Sequence, residues 1–285
     1  MFPNFLCIGA PKAGTTWLFD NLRRHPDVWL PKYKSMQYFS GKAAAVRRKK
    51  FRRLLRREVL ADMSWRQSLW DLRYFFHPRI DDRWYASLFE AGRGYRAVGE
   101  IAPSYSALDD QQVARVRELM PETRVIFFLR NPVERLWSHA MLTVVRNTGR
   151  QIERVPAAEL RAFIASDSST KRTDYLETYR RWSQAFGENR VFVGFFEEIA
   201  HAPGELLTRV CNFLEIDDDL RHFQQTKDRN IFKGLGCPLP GPLEVELYRQ
   251  YLDQLEGLAQ QFGGPANDWR QYAHSLLGKR DREAA

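Results

Sequence analysis

The sequence predicts an α/β fold built on a central parallel β-sheet. Four short apolar segments are typical of buried parallel strands: "FLCIGA", "YRAVGEI", "RVIFFLR" and "RVFVGFFE". Helical patterns separate these segments, and this alternation is typical of a doubly wound sheet. A glycine-flanked turn, "GAPKAGTTW" at residues 9–17, follows the first strand. Because ligands of such sheets bind beyond the carboxyl ends of the strands, this turn is the first candidate for a site.

Six helices are predicted around the sheet. The first follows Thr15 through "TWLFDNLRRHP". The second is "DDQQVARVRELMP", with Asp109 or Asp110 as the N-cap and Pro121 beyond its end. The third begins at "NPVERLWSHAMLTVV", where Pro132 suits the first turn. Three further helices are predicted over "DYLETYRRWSQAF", "APGELLTRVCNFL" and "PLEVELYRQYLDQLEGLAQQF".

Residues 42–96 fit the alternation poorly, and we interpret them as a helical insertion within a single domain of residues 1–285. The segment is rich in arginine and tryptophan, and eight basic residues lie between Arg47 and Arg57. This run is either a solvated helix face or a patch for an acidic acceptor or carrier. The aromatic residues from Trp65 to Tyr85 either pack in the core or line an acceptor cleft.

Charge and composition narrow the classes of ligand. Lys and Arg number 44 against 35 Asp and Glu, a net charge of +9 that favours anionic ligands. No nucleic-acid recognition motif accompanies this charge, so we expect no specific nucleic-acid partner. The three cysteines are far apart in the sequence and predict neither a disulfide framework nor a zinc site. Without a secretory signal or an apolar run of about 20 residues, we expect a cytoplasmic protein with no transmembrane segment.

The turn after the first strand is P-loop-like but has an unusual lysine. Gly9 and Gly14 keep the spacing of G-x-x-x-x-G-K-[ST], yet Thr15 stands at the lysine position and Lys12 lies inside the loop. Such a turn presents backbone N–H groups and the positive end of a helix to an anion. Lys12 suits a single 5′ phosphate that carries a terminal group. The missing Gly-Lys-Thr argues against an ATPase, a GTPase or a kinase.

A second set of residues suits a second phosphate. In "FFLRNPVERLWSHAML", Arg130 ends a strand and Ser138 follows eight residues later in a helix. Arginine offers a planar fork for a phosphate, and a serine hydroxyl adds a contact. The alternative is that Arg130 is a structural ion-pair partner. Glu100 lies near the end of the second predicted strand.

Together these segments resemble the sulfotransferases that use 3′-phosphoadenosine 5′-phosphosulfate (PAPS), most closely the bacterial and glycan types. The resemblance implies transfer of a sulfuryl group to a hydroxyl or amine of a small-molecule or glycan acceptor, with PAPS as donor and no metal. It implies that Arg130 and Ser138 hold the 3′ phosphate and that Lys12 contacts the phosphosulfate. The implied 5′ phosphosulfate loop consists of Pro11, Lys12, Ala13, Gly14, Thr15, Thr16 and Trp17. The segment "NIFKGLG" resembles the part of the family that closes over the nucleotide, which implies roles for Phe232, Lys233 and Gly234.

The residue that activates the acceptor departs from the family pattern. Related bacterial sequences read Lys-Glu-x-x-Tyr-Phe, with the glutamate as base, whereas this chain reads "KSMQYF" with Ser35 in its place. Glu100 is the first replacement candidate and His139 the second. Alternatively, the acceptor needs little activation, or Ser35 marks a weakened protein, natural or engineered. A weakened protein would bind nucleotides or acidic ligands without turnover. A P-loop kinase is the least favoured alternative.

Overall fold

The computed structural model describes residues 1–56, 65–146, 148–151, 154–228 and 237–284. In this part of the chain, five parallel strands form one sheet in the order β2-β3-β1-β4-β5. The strands are β1 Phe5–Gly9, β2 Val28–Trp29, β3 Ala97–Ile101, β4 Arg124–Leu129 and β5 Val191–Phe195. The α/β fold and its four predicted strands are confirmed. The edge strand β2 was not predicted, because two residues show no periodicity.

The strand order places the end of β1 at the centre of the sheet. In the sheet, β3 and then β2 lie on one side of β1, and β4 and then β5 lie on the other. All residues of β1 and β3 are buried, because parallel strands are covered on both faces. A crevice opens where the connections diverge, at the carboxyl end of β1. The glycine-flanked loop lies at this point.

Helices surround the sheet, and the predicted ones are present. Asp109 caps one helix in a capping box with Gln112, and Asn131 caps the next, which continues as a π-helical turn at Met141–Arg146. The last predicted helix is divided at Tyr251, and a further helix follows it. The bounds are α1 Thr15–Leu22, α2 Ala43–Arg56, α3 Trp65–Phe76, α4 Asp82–Ser87, α5 Asp110–Leu119, α6 Pro132–Ala140, α7 Ala157–Ile164, α8 Asp167–Lys171, α9 Tyr175–Phe186, α10 Phe196–His201, α11 Pro203–Leu214, α12 Gly241–Gln250, α13 Leu252–Phe262 and α14 Pro265–Ala284.

The arginine-rich insertion is helical and contributes to the same core as the sheet. It contains α2, α3 and α4. Trp70, Tyr74, Trp84 and Tyr85 are buried in the cluster that includes the strands, so these aromatic residues pack in the core rather than line a cleft. No helix in the described ranges is both long and apolar enough to cross a membrane.

Two cations of the basic run point inward, so the run is not simply a solvated face. Arg47 donates from Nη1 to the carbonyl oxygen of His77 at 3.0 Å. Lys50 donates from Nζ to the carbonyl oxygen of Lys34 at 2.8 Å, and its ammonium lies 5.2 Å from the ring centre of Tyr33. Through Lys50, helix α2 therefore stabilises the segment that follows β2.

Candidate active site

A pocket of about 670 Å³ lies at the carboxyl edge of the sheet, and both predicted phosphate motifs line it. The β1–α1 loop contributes one part of the wall, and the end of β4 together with α6 contributes another. The residues of these two motifs on the wall are Pro11, Lys12, Gly14, Thr15, Thr16, Trp17, Arg130 and Ser138. Ala13 is fully buried behind the loop. Residues 121 positions apart in the sequence, Trp17 and Ser138, thus share one cavity.

The β1–α1 loop presents an open helix N-terminus to the pocket. Gly14 is the N-cap of α1, with φ 88° and ψ 1°, and no described side chain caps the helix. The left-handed conformation favours glycine here, and a Cβ would also require the end of the Ile199 side chain, 2.1 Å away, to move. The N–H groups of the first helical turn have no partners within the helix. Such groups, here beside Thr15 and Thr16, are suited to an anion.

Arg130 connects the second motif to the loop. Its Nη1 donates to the carbonyl oxygen of Lys12 at 3.3 Å, and its guanidinium lies 4.4 Å from the ring centre of Phe196. Its Nη2 also pairs with the Glu134 carboxylate at 2.9 Å. The Glu134 side chain is 54% exposed, so this ion pair is weak and an incoming phosphate can replace it. Ser138 lines the same pocket from α6.

Lys34 is a cation of the site that the sequence analysis did not identify. Its Nζ lies 3.0 Å from Oγ1 of Thr15 and 2.9 Å from Oγ1 of Thr16, and it lines the pocket. Burial lowers the pKa of its ammonium to about 8. Within the segment "KSMQYF", only Ser35 was predicted to have a functional role. Nothing local predicts that residue 34 reaches α1.

The rest of the pocket combines charge with an apolar surface. The indole N–H of Trp17 donates to the carbonyl oxygen of Lys227 at 2.8 Å and fixes this segment against α1. The Lys227 ammonium pairs with Asp228 at 2.6 Å. Asp228 is the one carboxylate on the wall formed by the described residues. The apolar part consists of Pro103, Leu142, Phe196, Ile199, Ala200 and Pro203. None of these residues was predicted to belong to the site; Phe196 was predicted only within the strand segment "RVFVGFFE".

Glu100, the first candidate base, is buried and is not among the residues that line the pocket. Its side chain is 0% exposed, and its Oε1 accepts from the backbone N–H of Met36 at 2.7 Å. Its Oε2 accepts from the hydroxyls of Tyr85 at 2.8 Å and Tyr105 at 3.1 Å. Burial raises the pKa of this carboxyl. Both oxygens are occupied, so Glu100 holds the segment after β2 in place.

The other base candidates are also away from the pocket wall. The His139 ring packs edge-on against Phe163 with ring centres 5.1 Å apart. Burial, with a smaller contribution from Arg135, lowers the pKa of His139 to about 3. The hydroxyl of Ser35 lies 3.4 Å from the carbonyl oxygen of Ile101. The predicted closing segment, Phe232, Lys233 and Gly234, lies outside the described residues.

Solved structures share this fold. A sulfotransferase from Alicyclobacillus acidocaldarius is 24% identical, with a TM-score of 0.65, over 95% of this chain and 99% of that one. The sulfotransferase domain of the Synechococcus PCC 7002 olefin synthase is 15% identical, with a TM-score of 0.56, over 84% and 90%. Mouse sulfotransferase SULT7A1, solved with PAP, is 14% identical, with a TM-score of 0.54, over 96% and 89%.

The family of the chain follows from a match between its sequence and a family profile. A search of curated proteins finds no match. The profile of the sulfotransferase family matches residues 3–219, which is more than half of the chain. This match includes the β1–α1 loop, Lys34, Arg130 and Ser138. The chain belongs to the sulfotransferase family.

Proposed function

We propose that this protein transfers the sulfuryl group of PAPS to a hydroxyl or amine of a small-molecule or glycan acceptor. One observation carries the proposal: Lys12 and the N-terminus of α1 share a pocket with Arg130 and Ser138. A donor with phosphate groups at both its 5′ and 3′ positions needs two separate anion sites of this kind. A nucleoside triphosphate would use only the first.

The positions of the two anion sites favour one orientation of the donor in this pocket. Arg130 and Ser138 hold the 3′ phosphate, while the first turn of α1 and Lys12 hold the 5′ phosphate. The flat adenine base lies against the apolar surface that includes Phe196 and Ile199. The guanidinium of Arg130 already stacks on Phe196, so the base and the 3′ phosphate have adjacent sites.

The reaction is an in-line displacement at sulfur. The acceptor oxygen or nitrogen forms a bond to sulfur, while the bond between sulfur and the 5′ phosphate oxygen breaks and leaves its electron pair on the phosphate. Lys12 neutralises the charge that builds up on this leaving group. The site positions the reactants and stabilises charge, as in phosphoryl transfer. The products are the sulfated acceptor, adenosine 3′,5′-bisphosphate and the proton lost by the acceptor.

The acceptor is one that needs little activation, such as an amine or an acidic hydroxyl. Glu100, His139 and Ser35 do not line the pocket. Asp228 is the carboxylate of the described wall, and Lys227 pairs with it. A proton from a weakly acidic alcohol would therefore lack a dedicated base among these side chains.

Calorimetric titration tests the donor assignment. Purified protein is titrated with adenosine 3′,5′-bisphosphate, with 5′-AMP and with ATP plus magnesium. We expect the bisphosphate to bind most tightly, because only this ligand occupies both anion sites. A preference for ATP with magnesium, or no binding of any nucleotide, would overturn the proposal.

A second candidate is a nucleotide-binding or acidic-ligand-binding protein that has lost turnover. Ser35 at the glutamate position favours this alternative. The variant Ser35→Glu separates the two, with transfer from labelled PAPS to a panel of phenols, amines and sugars as the readout. A large gain over wild type would identify a lost base. We expect no gain, because the Ser35 hydroxyl lies near the carbonyl oxygen of Ile101 and not on the pocket wall.

A further inference from the structure

Lys34 and Arg130 lie on opposite sides of the β1–α1 loop. Arg130 follows β4, on one side of the central strand β1. Lys34 follows β2, and the backbone N–H of Ser35 donates to the carbonyl oxygen of Ile101, at the end of β3, at 3.0 Å. Because β2 and β3 lie on the other side of β1, the two cations approach the N-terminus of α1 from opposite directions.

The turn that carries Lys34 is held at several points. Lys50 donates to the carbonyl oxygens of Lys34 and Ser35, at 2.8 and 3.4 Å. Glu100 accepts from Met36, as described above. Ser35 and Gln37 adopt φ of 58° and 59°, a left-handed conformation that is unfavourable for non-glycine residues and persists only where the surrounding contacts hold it. These contacts fix the backbone from which the Lys34 ammonium reaches α1.

The ammonium of Lys34 is buried; its hydrogen-bond partners are neutral, and the charge of Asp20 offsets only part of the effect of burial on its pKa. Its hydrogen-bond partners among the described residues are the hydroxyls of Thr15 and Thr16. Both hydroxyls lie at the helix N-terminus that suits an anion. A buried cation with neutral partners gains stability when an anion binds beside it. The geometry therefore favours an anionic group between Lys34, Thr15 and Thr16.

We propose that Lys34 binds the sulfuryl group that is transferred. The inference rests on the proposed function, which places the 3′ phosphate at Arg130 and the 5′ phosphate at α1. The sulfuryl group extends from the 5′ phosphate, away from Arg130 and towards Lys34. Lys12 then stabilises the charge on the leaving phosphate, and Lys34 stabilises the charge on the sulfuryl oxygens.

The test compares two ligands that differ only in the sulfuryl group. PAPS and adenosine 3′,5′-bisphosphate are titrated, without acceptor, into wild type, Lys34→Met and Lys34→Arg. We expect Lys34→Met to weaken PAPS binding roughly 10-fold or more, since hydrogen bonds to charged groups contribute about 1.5–3 kcal/mol. Binding of the bisphosphate should change less than about threefold. Lys34→Arg should retain most of the preference for PAPS, because it keeps the charge.

The matched control is Lys42→Met, an exposed lysine immediately before α2. This variant should bind both ligands like wild type. Thermal denaturation checks that each variant is folded, and Lys34→Gln replaces Lys34→Met if the latter is not. An equal loss of affinity for both ligands, or no loss, overturns the role of Lys34 and leaves the proposed function standing. Failure of wild type to bind the bisphosphate overturns both.

Discussion

The two ends of the pocket are built in different ways. At the Arg130 end, Arg130, Asn131 and Ser138 lie within nine consecutive residues, and Asn131 caps the helix that carries Ser138. At the Lys34 end, the turn is held by Glu100 and Lys50, which are distant from it in the sequence. The first end depends on a local strand-to-helix connection. The second depends on a buried network assembled by the whole fold.

This difference predicts which substitutions affect ligand binding and which affect the stability of the fold. Charged groups at the Arg130 end contact solvent and can exchange partners, as the half-exposed Glu134 shows. Removal of such groups should affect ligands more than folding. Glu100 and Lys50, which hold the turn at the Lys34 end, are largely buried and hydrogen-bonded, so their removal should affect folding first and the ligand indirectly. Four substitutions test this contrast.

The largest effect is expected for Glu100→Ala. This change leaves the N–H of Met36 and two tyrosine hydroxyls without their buried acceptor, and each unsatisfied group costs about 1–3 kcal/mol. We expect the free energy of unfolding, measured by urea denaturation, to fall by roughly 3 kcal/mol or more. Glu100→Gln, which keeps one acceptor oxygen, should lose less. A variant as stable as wild type would show that the network does not hold the turn.

Arg130→Ala should act mainly on the ligand. Loss of a charge-assisted contact to the 3′ phosphate weakens binding of adenosine 3′,5′-bisphosphate by about 1.5–3 kcal/mol, or roughly 10- to 100-fold. Binding of 5′-AMP, which lacks this phosphate, should be nearly unchanged in the same titration. The control is Arg161→Ala, which removes an exposed partner of Glu246. Equal weakening of both nucleotides would place the 3′ phosphate elsewhere.

The pH dependence of stability should identify the buried lysines. Burial lowers the pKa of both Lys34 and Lys50 to about 8, below the ordinary 10.5. Between these values the unfolded chain holds protons that the folded chain has released, so these lysines make the free energy of unfolding rise with pH above 8. Each can contribute a slope of at most about 1.4 kcal/mol per pH unit.

Lys50→Met should remove one of these two contributions. Urea denaturation between pH 7.5 and about 9.5 compares the variant with wild type, so that titrations common to both cancel. We expect the stability of the variant relative to wild type to decline as pH rises through this range. A difference that does not change with pH would mean that Lys50 is not desolvated in the folded protein.

The smallest effect is expected for Glu134→Gln. The ion pair with Arg130 is half-exposed, and such pairs contribute about 0–1 kcal/mol. Removal of the carboxylate frees the guanidinium, so adenosine 3′,5′-bisphosphate should bind up to a few fold more tightly, with stability nearly unchanged. Weaker binding in the calorimeter would show that Glu134 orients Arg130 for the phosphate rather than competing with it.

The contrast also explains what could be predicted from the sequence. The α/β fold, the open N-terminus of α1 and the presence of Arg130 and Ser138 on one pocket wall follow from short-range patterns of apolar, glycine and capping residues. Lys34 could not be found in this way, because its contacts with Thr15 and Thr16 depend on the packing of a turn against α1. The burial of Glu100 against Met36, Tyr85 and Tyr105 could not be predicted for the same reason. The position of a residue at a strand end indicates the correct edge of the sheet. That position does not show which other side chains bury the residue there.

The most direct test of the donor site is a crystal structure of the protein with adenosine 3′,5′-bisphosphate. We expect the 3′ phosphate within hydrogen-bond distance of Arg130 and Ser138, and the 5′ phosphate at the first turn of α1 beside Lys12. The 5′ phosphate should point towards Lys34. A nucleotide bound in the reverse orientation, or outside this pocket, would contradict the assignment of the two anion sites.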